Sequence, residues 1–148
     1  MCYIGLYLFY TEKTNKKTNK GINDMKFSHT MIRVKNIDDS LKFYKEVLGL
    51  KLLKTMELED ATLYFVSDEQ ECCTIELTYN HKLPEGGYNH GNYFGHLAFD
   101  TDDMDKFTEI LKKHRLDYTI APFEIKKGTK IAFLNDPDGF PIEIIERK

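Results

Sequence analysis

The chain has 148 residues, a formal net charge of −3, and 41% hydrophobic and 30% charged residues, the make-up of one domain able to bury a substantial core. The small negative charge gives no electrostatic reason to expect nucleic acid or an anionic membrane as partner. Three cysteines, two of them adjacent at Cys72 and Cys73, do not form a disulfide framework and fit a reducing, cytoplasmic compartment.

The first segment, Cys2 to Tyr10, is apolar over nine residues. That is far below the ~20 residues a membrane helix needs, and it lacks the basic leader and small-residue cleavage site of a signal peptide. Thr11 to Asp24 is polar, Lys-rich and aperiodic, and without interleaved aromatics it does not resemble a nucleic-acid arm. Residues 1–24 are therefore expected to be a disordered leader or the product of a misassigned start, the second being preferred. The patterned domain spans 25–148.

Residues 27–34 alternate as a strand. Asn36 is placed to cap a helix whose apolar stripe is Leu41, Tyr44, Val47 and Leu48, and Gly49 follows as its stop. Strands are expected near 51–58, 61–67 and 72–80. After the loop 81–92, a strand at 93–100 leads to a helix at 103–114 with Met104, Phe107, Ile110 and Leu111 inward. Strands near 117–124, 128–134 and 140–146 follow. Asp136-Pro137-Asp138-Gly139 is a strong turn signal between the last two.

The two halves repeat with an offset of 67 residues. Phe27-Ser28-His29 matches Phe94-Gly95-His96, Thr62 to Val66 matches Thr129 to Phe133, and Thr74 to Leu77 matches Pro141 to Ile144. His29 stands 47 residues before Glu76, and His96 stands 47 before Glu143. Each half, about 25–80 and 93–148, reads as strand, helix and three strands: an α+β fold of two βαβββ modules.

Alternation in the strands puts His29 on a face with Phe27, Met31 and Arg33, and Glu76 on a face with Thr74, Thr78 and Asn80. His96 shares its face with Phe94, Ala98 and Asp100, and Glu143 with Pro141 and Ile145, while Ile75 and Leu77 point into the core. Each module thus offers one imidazole and one carboxylate on the concave side of a curved sheet, and pairing two such sheets can gather all four. Two imidazoles and two carboxylates suit a divalent first-row metal with positions left for water or substrate oxygens. A lone His or Glu on a strand is more often solvated than ligating. Glutamate, however, is poorly suited to strands and rarely buried unpaired, so its occurrence twice, each time matched with a His, favours the metal. His81, His90 and His114 lack matched partners and are read as loop or helix-surface residues. Cys72 and Cys73 have no base nearby in sequence.

The segments HTMIRV at 29–34, SLKFYKEVLGLKLL at 40–53, IELTYN at 75–80, GHLAFD at 95–100 and DPDGFPIEIIE at 136–146 resemble glyoxalase I of the vicinal-oxygen-chelate superfamily over Met25 to Lys148. The resemblance implies paired half-barrels in a homodimer with shared active sites at the subunit interface. It implies His29, Glu76, His96 and Glu143 as metal ligands, with Glu143 the principal base and Glu76 able to serve the opposite face. Nickel or cobalt is favoured over zinc. It places Arg33 and Asn80 at the γ-glutamyl end of glutathione, counts His96 among the substrate-facing residues, and puts the contact to the glycyl carboxylate near Lys126 or Lys127. Longer forms carry an Arg where this chain has Asn92.

The activity implied is isomerisation of the methylglyoxal–glutathione hemithioacetal to S-lactoylglutathione, moving a proton from C1 to C2 through a cis-enediolate. The alternatives within the superfamily are a CoA-thioester epimerase, against which Glu76 argues, and an extradiol dioxygenase, which a fourth ligand fits poorly. Outside enzymes, the chain could be a metal-free small-molecule binding protein.

Overall fold

A computed structural model describes residues 26–148, so the expectation for residues 1–24 lies outside the described range. Two four-stranded mixed sheets repeat one plan. The first holds β1 (Thr30–Val34), β2 (Lys51–Glu57), β3 (Ala61–Ser67) and β4 (Thr74–Asn80) in the order β1-β4-β3-β2; the second holds β5 (Leu97–Thr101), β6 (Ile120–Lys126), β7 (Thr129–Asn135) and β8 (Pro141–Arg147) in the order β5-β8-β7-β6. In each sheet the first strand runs parallel to the last, and the remaining pairs are antiparallel.

Helix α1 (Ile37–Lys42) links β1 to β2 and continues into a π-helical turn at Phe43–Val47. It starts where expected, with the Asn36 side chain accepting from the N–H groups of Asp38 and Asp39. Gly49 follows its end with φ +74°, a conformation that glycine adopts without a Cβ clash. The wider π turn brings Phe43 into the core beside Tyr44 and Val47, an addition the 3.6-residue stripe does not foresee. Helix α2 (Met104–Lys113) buries Met104, Phe107 and Leu111. Its N-terminus is doubly satisfied: the Asp103 carboxylate accepts from Lys106 N–H, and the buried Glu146 carboxylate accepts from Met104 N–H at 2.7 Å.

One core joins the modules. Ile32, Val34, Tyr44 and Leu77 of the first pack in a single cluster with Met104, Leu111, Leu134 and Ile144 of the second, each apolar side chain contributing about 1.5–3 kcal/mol of burial. Polar contacts add register. The Tyr44 hydroxyl donates to Asp136 Oδ2 at 2.9 Å, and Lys35 N–H donates to the Asp138 carboxylate at 3.2 Å. The Asp136–Gly139 turn therefore ties β7–β8 to the first module as well as reversing the chain. Both sheets lie open on the face away from this core, where β2 and β6 are exposed along nearly their whole length.

Two expectations change. β1 and β5 begin at Thr30 and Leu97, later than sequence alternation suggests. The parallel register pairs Thr30 with Ile75 and Leu97 with Ile142, the second residues of β4 and β8, so residues before His29 and His96 have no strand opposite to ladder with. The repeat is also not uniform. Phe65 lies opposite Glu76 and Phe133 lies opposite Glu143, so the counterpart of Phe65 is Phe133, 68 residues on, although Glu76 and Glu143 are 67 apart. The turn from β7 to β8 is one residue shorter than that from β3 to β4 and absorbs the difference.

Candidate metal centre

His29 and His96 each sit immediately before an edge strand, on its open-face side. Met31, two residues after His29, pairs with Glu76, and Ala98, two after His96, pairs with Glu143. Alternate residues share a face, so each imidazole is delivered to the carboxylate of the neighbouring strand. His29 Nε2 lies 3.0 Å from Glu76 Oε2, and His96 Nε2 lies 3.0 Å from Glu143 Oε2. Each ring also meets an aromatic edge, His29 on Phe65 at 5.6 Å and His96 on Phe133 at 5.7 Å between centroids. The modules thus build the same half-site twice: one nitrogen and one oxygen converging, with an aromatic wall that fixes the ring.

The halves differ in one contact. Glu76 Oε1 accepts from the Thr78 hydroxyl at 2.8 Å. In the second module the place of Thr78 is taken by Ile145, which has no hydroxyl to offer. Glu76 is tethered at both oxygens, whereas Glu143 lacks the second tether.

The two pairs do not meet within one chain: among the described residues no three His, Cys, Asp or Glu side chains lie close enough to share a metal ion. The chain carries two two-donor halves. A borderline nitrogen and a hard oxygen per half is a donor chemistry suited to a divalent cation, and four donors require the halves to be brought together.

Residues 26–144 match the model of the Glyoxalase/Bleomycin resistance protein/Dioxygenase superfamily. The chain belongs to this superfamily. Within it, the chain is 41% identical over 129 residues to a lactoylglutathione lyase of Haemophilus influenzae, covering 84% of this chain and 94% of that one. It is 43% identical over 125 residues to a probable lactoylglutathione lyase of Vibrio parahaemolyticus, covering 81% and 89%. Among solved structures it superimposes on glyoxalase I from Zea mays with a TM-score of 0.70 at 37% identity, over 80% of this chain but 43% of the longer maize chain. It superimposes on the trypanothione-dependent glyoxalase I of Leishmania major with a TM-score of 0.66 at 35% identity, over 80% and 84%. Two four-stranded mixed sheets in βαβββ order are the glyoxalase fold, as the sequence leads one to expect.

Arg33 and Asn80 come together on this glyoxalase scaffold. They line one cavity of about 780 Å³ with Lys82, Leu83, Glu85 and Tyr88 of the 81–92 loop. Arg33 pairs with Thr78 across the β1–β4 ladder, one pleat beyond the His29–Glu76 pair, so the cavity opens along the same sheet face. Lys126 ends β6, Lys127 lies in the turn after it, and both are exposed. Asn92 is exposed near the end of the loop. His90, unpartnered in the sequence, is held in the fold: its Nε2–H donates to the Asp138 carbonyl at 2.9 Å and its ring packs on Phe140 at 4.2 Å. His81 Nε2 sits 3.0 Å from the Thr62 hydroxyl, and His114 ends α2 with Nδ1 3.9 Å from Glu46. Cys72 and Cys73 are exposed just ahead of β4. Thr78, Phe65 and Phe133 support the half-sites, and the sequence marks them only by their positions on the Glu76 and Glu143 faces.

Proposed function

We propose that the chain is a lactoylglutathione lyase that isomerises the hemithioacetal of methylglyoxal and glutathione to S-lactoylglutathione. The observation that carries this reading is the pair of matched His–Glu half-sites in a superfamily member about 40% identical, over most of its length, to lactoylglutathione lyases.

His29, Glu76, His96 and Glu143 would hold one divalent metal, with nickel or cobalt favoured and zinc a third candidate. When bound, such a cation supplies positive charge beside the vicinal oxygens of the substrate, a contribution of several kcal/mol toward making the C1 hydrogen acidic. The residues of the chain do the rest. Glu143 takes the proton from C1 and returns it to C2 by way of a cis-enediolate. It suits this role better than Glu76 because its carboxylate has no Thr78-like tether and is freer to move. A placed carboxylate base contributes ~10²–10⁴-fold. Glu76, held by Thr78, acts chiefly as a ligand and faces the opposite side of the substrate.

Arg33 offers a planar fork of donors to the γ-glutamyl carboxylate, with Asn80 beside it. His96 borders the substrate as well as the metal, and Lys126 or Lys127 would meet the glycyl carboxylate.

A homodimer completes the centre, since among the described residues each chain holds only half-sites facing outward. Met31, Met56 and Phe123 are 41–44% exposed on these open faces, apolar surface that a second copy would cover. Among the described residues no helix is long and apolar enough to cross a membrane, and a cytoplasmic location is part of this reading. The test is an assay of metal-free protein with methylglyoxal and glutathione, reconstituted in turn with nickel, cobalt and zinc. Formation of S-lactoylglutathione only after metal addition supports the reading; no turnover with any of the three overturns it.

A further inference from the structure

The 81–92 loop is fastened at both ends of a short span. Tyr88 O–H donates to Asn80 Oδ1 at 2.9 Å on β4, and two residues later His90 Nε2–H donates to the Asp138 carbonyl on the β7–β8 turn. The same Asp138 accepts from Lys35 N–H at the end of β1. Gly86, Gly87 and Gly91 all adopt positive φ, so the backbone can turn tightly enough for both fastenings. The span therefore crosses from the first module to the second and closes one side of the cavity that Arg33 and Asn80 line.

The direction of the Tyr88 hydrogen bond matters. An amide has one acceptor end and one donor end. With Oδ1 occupied by the tyrosine hydroxyl, Asn80 turns its –NH₂ away from Tyr88. Burial pushes the Tyr88 hydroxyl above its ordinary pKa, against the opposing pull of Arg33, so it stays a neutral donor at physiological pH. Arg33 carries donors only. Amide and guanidinium together then make a donor wall, the chemistry that receives a carboxylate.

We propose that Tyr88 is a positioning residue for the thiol cosubstrate: its hydroxyl locks the Asn80 amide with donors toward the cavity, so that Asn80 and Arg33 together select a carboxylate. This rests on the glyoxalase reading for the identity of the ligand. Without the hydroxyl, the amide of Asn80 can rotate and present its carbonyl oxygen to the anion. The loss expected from one neutral hydrogen bond is roughly 3- to 10-fold in affinity.

The test is calorimetric titration of the metal-loaded full chain with S-methylglutathione, a conjugate that cannot react, and with the same conjugate amidated at its γ-glutamyl α-carboxylate. Wild type, Tyr88→Phe, Asn80→Ala and the double variant are compared. Tyr88→Phe keeps the ring and should leave the melting temperature unchanged. The expected result is a 3- to 10-fold weaker grip on the unmodified conjugate in Tyr88→Phe, no further loss when the substitution is added to Asn80→Ala, and no effect of Tyr88→Phe on the amidated conjugate. Losses that simply add in the double variant, or wild-type affinity in Tyr88→Phe, would overturn the positioning role. Wild-type protein that binds neither conjugate would instead overturn the glyoxalase reading, and the proposal with it.

Discussion

Single side chains decide the chemistry, and three of them give separable outcomes. Glu143→Gln keeps an oxygen donor beside His96 but cannot accept the proton. It should lose nearly all turnover, on the order of the 10²–10⁴-fold a general base supplies, while retaining part of the bound metal by elemental analysis; near-normal turnover would end its role as base. Thr78→Val is almost isosteric and removes only the hydroxyl that holds Glu76 Oε1. Losing a partner that orients a ligand typically costs about 10–100-fold in metal affinity, so competition with a chelator should show that loss, and an unchanged affinity would mean Glu76 needs no tether. Arg33→Lys replaces a planar fork with a point charge. Steady-state kinetics should give a raised KM for the hemithioacetal with kcat little altered. An unmoved KM would take Arg33 out of the binding site.

At the level of elements, most of the fold was legible because local chemistry and burial agree. Asn36 caps α1, Gly49 ends its π-helical continuation, and Ile75 and Leu77 point inward as alternation demands. The misjudged parts are those set by neighbours. Where β1 and β5 begin is fixed by where β4 and β8 begin, the burial of Phe43 comes from a π turn, and the 68-residue step from Phe65 to Phe133 reflects a turn shortened by one residue. The Asp136–Gly139 turn was visible as a turn but not as a bridge between modules, because its partners Tyr44 and Lys35 are distant in sequence. Asp136 Oδ1 also accepts from Asp138 and Phe140 N–H. Asp136→Ala should therefore cost ~2–4 kcal/mol by leaving buried donors unpaired, whereas Asp136→Asn, with an oxygen for the N–H groups and an –NH₂ toward Tyr44, should stay near wild type in urea unfolding. Two carboxylates here respond to pH with opposite sign. Burial above all raises the Asp136 pKa, so its contribution to stability is lost as pH rises from the ordinary aspartate value through the raised one. The Met104 N–H above all lowers that of Glu146, so its contribution is present above the ordinary glutamate value and lost as pH falls through the lowered one. In urea midpoints measured against pH, Glu146→Gln should flatten the rise on the acid side of the curve, and Asp136→Asn the fall as pH climbs from the ordinary aspartate value.

For the whole molecule, the proposed metal centre requires two outward-facing halves to become one. The sequence makes the four candidate ligands readable, because a duplicated unit repeats its His and Glu at matched places, but the proposed convergence would belong to an assembly, which has no local signature. Within one chain the His29–Glu76 and His96–Glu143 pairs share no ion among the described residues. If the first half-site of one protomer meets the second half-site of its partner, a chain lacking the first pair (His29→Ala, Glu76→Ala) and a chain lacking the second (His96→Ala, Glu143→Ala) are each inactive alone yet complementary. A dimer formed from one of each contains one centre with both pairs destroyed and one with both intact. Unfolding and refolding an equimolar mixture in the presence of metal makes about half of the dimers mixed by random pairing, so roughly one quarter of wild-type activity should return. The dependence of that activity on mixing ratio should peak at equal amounts. Were both halves of a centre supplied by the same chain, every centre in every dimer would stay crippled and mixing would restore nothing.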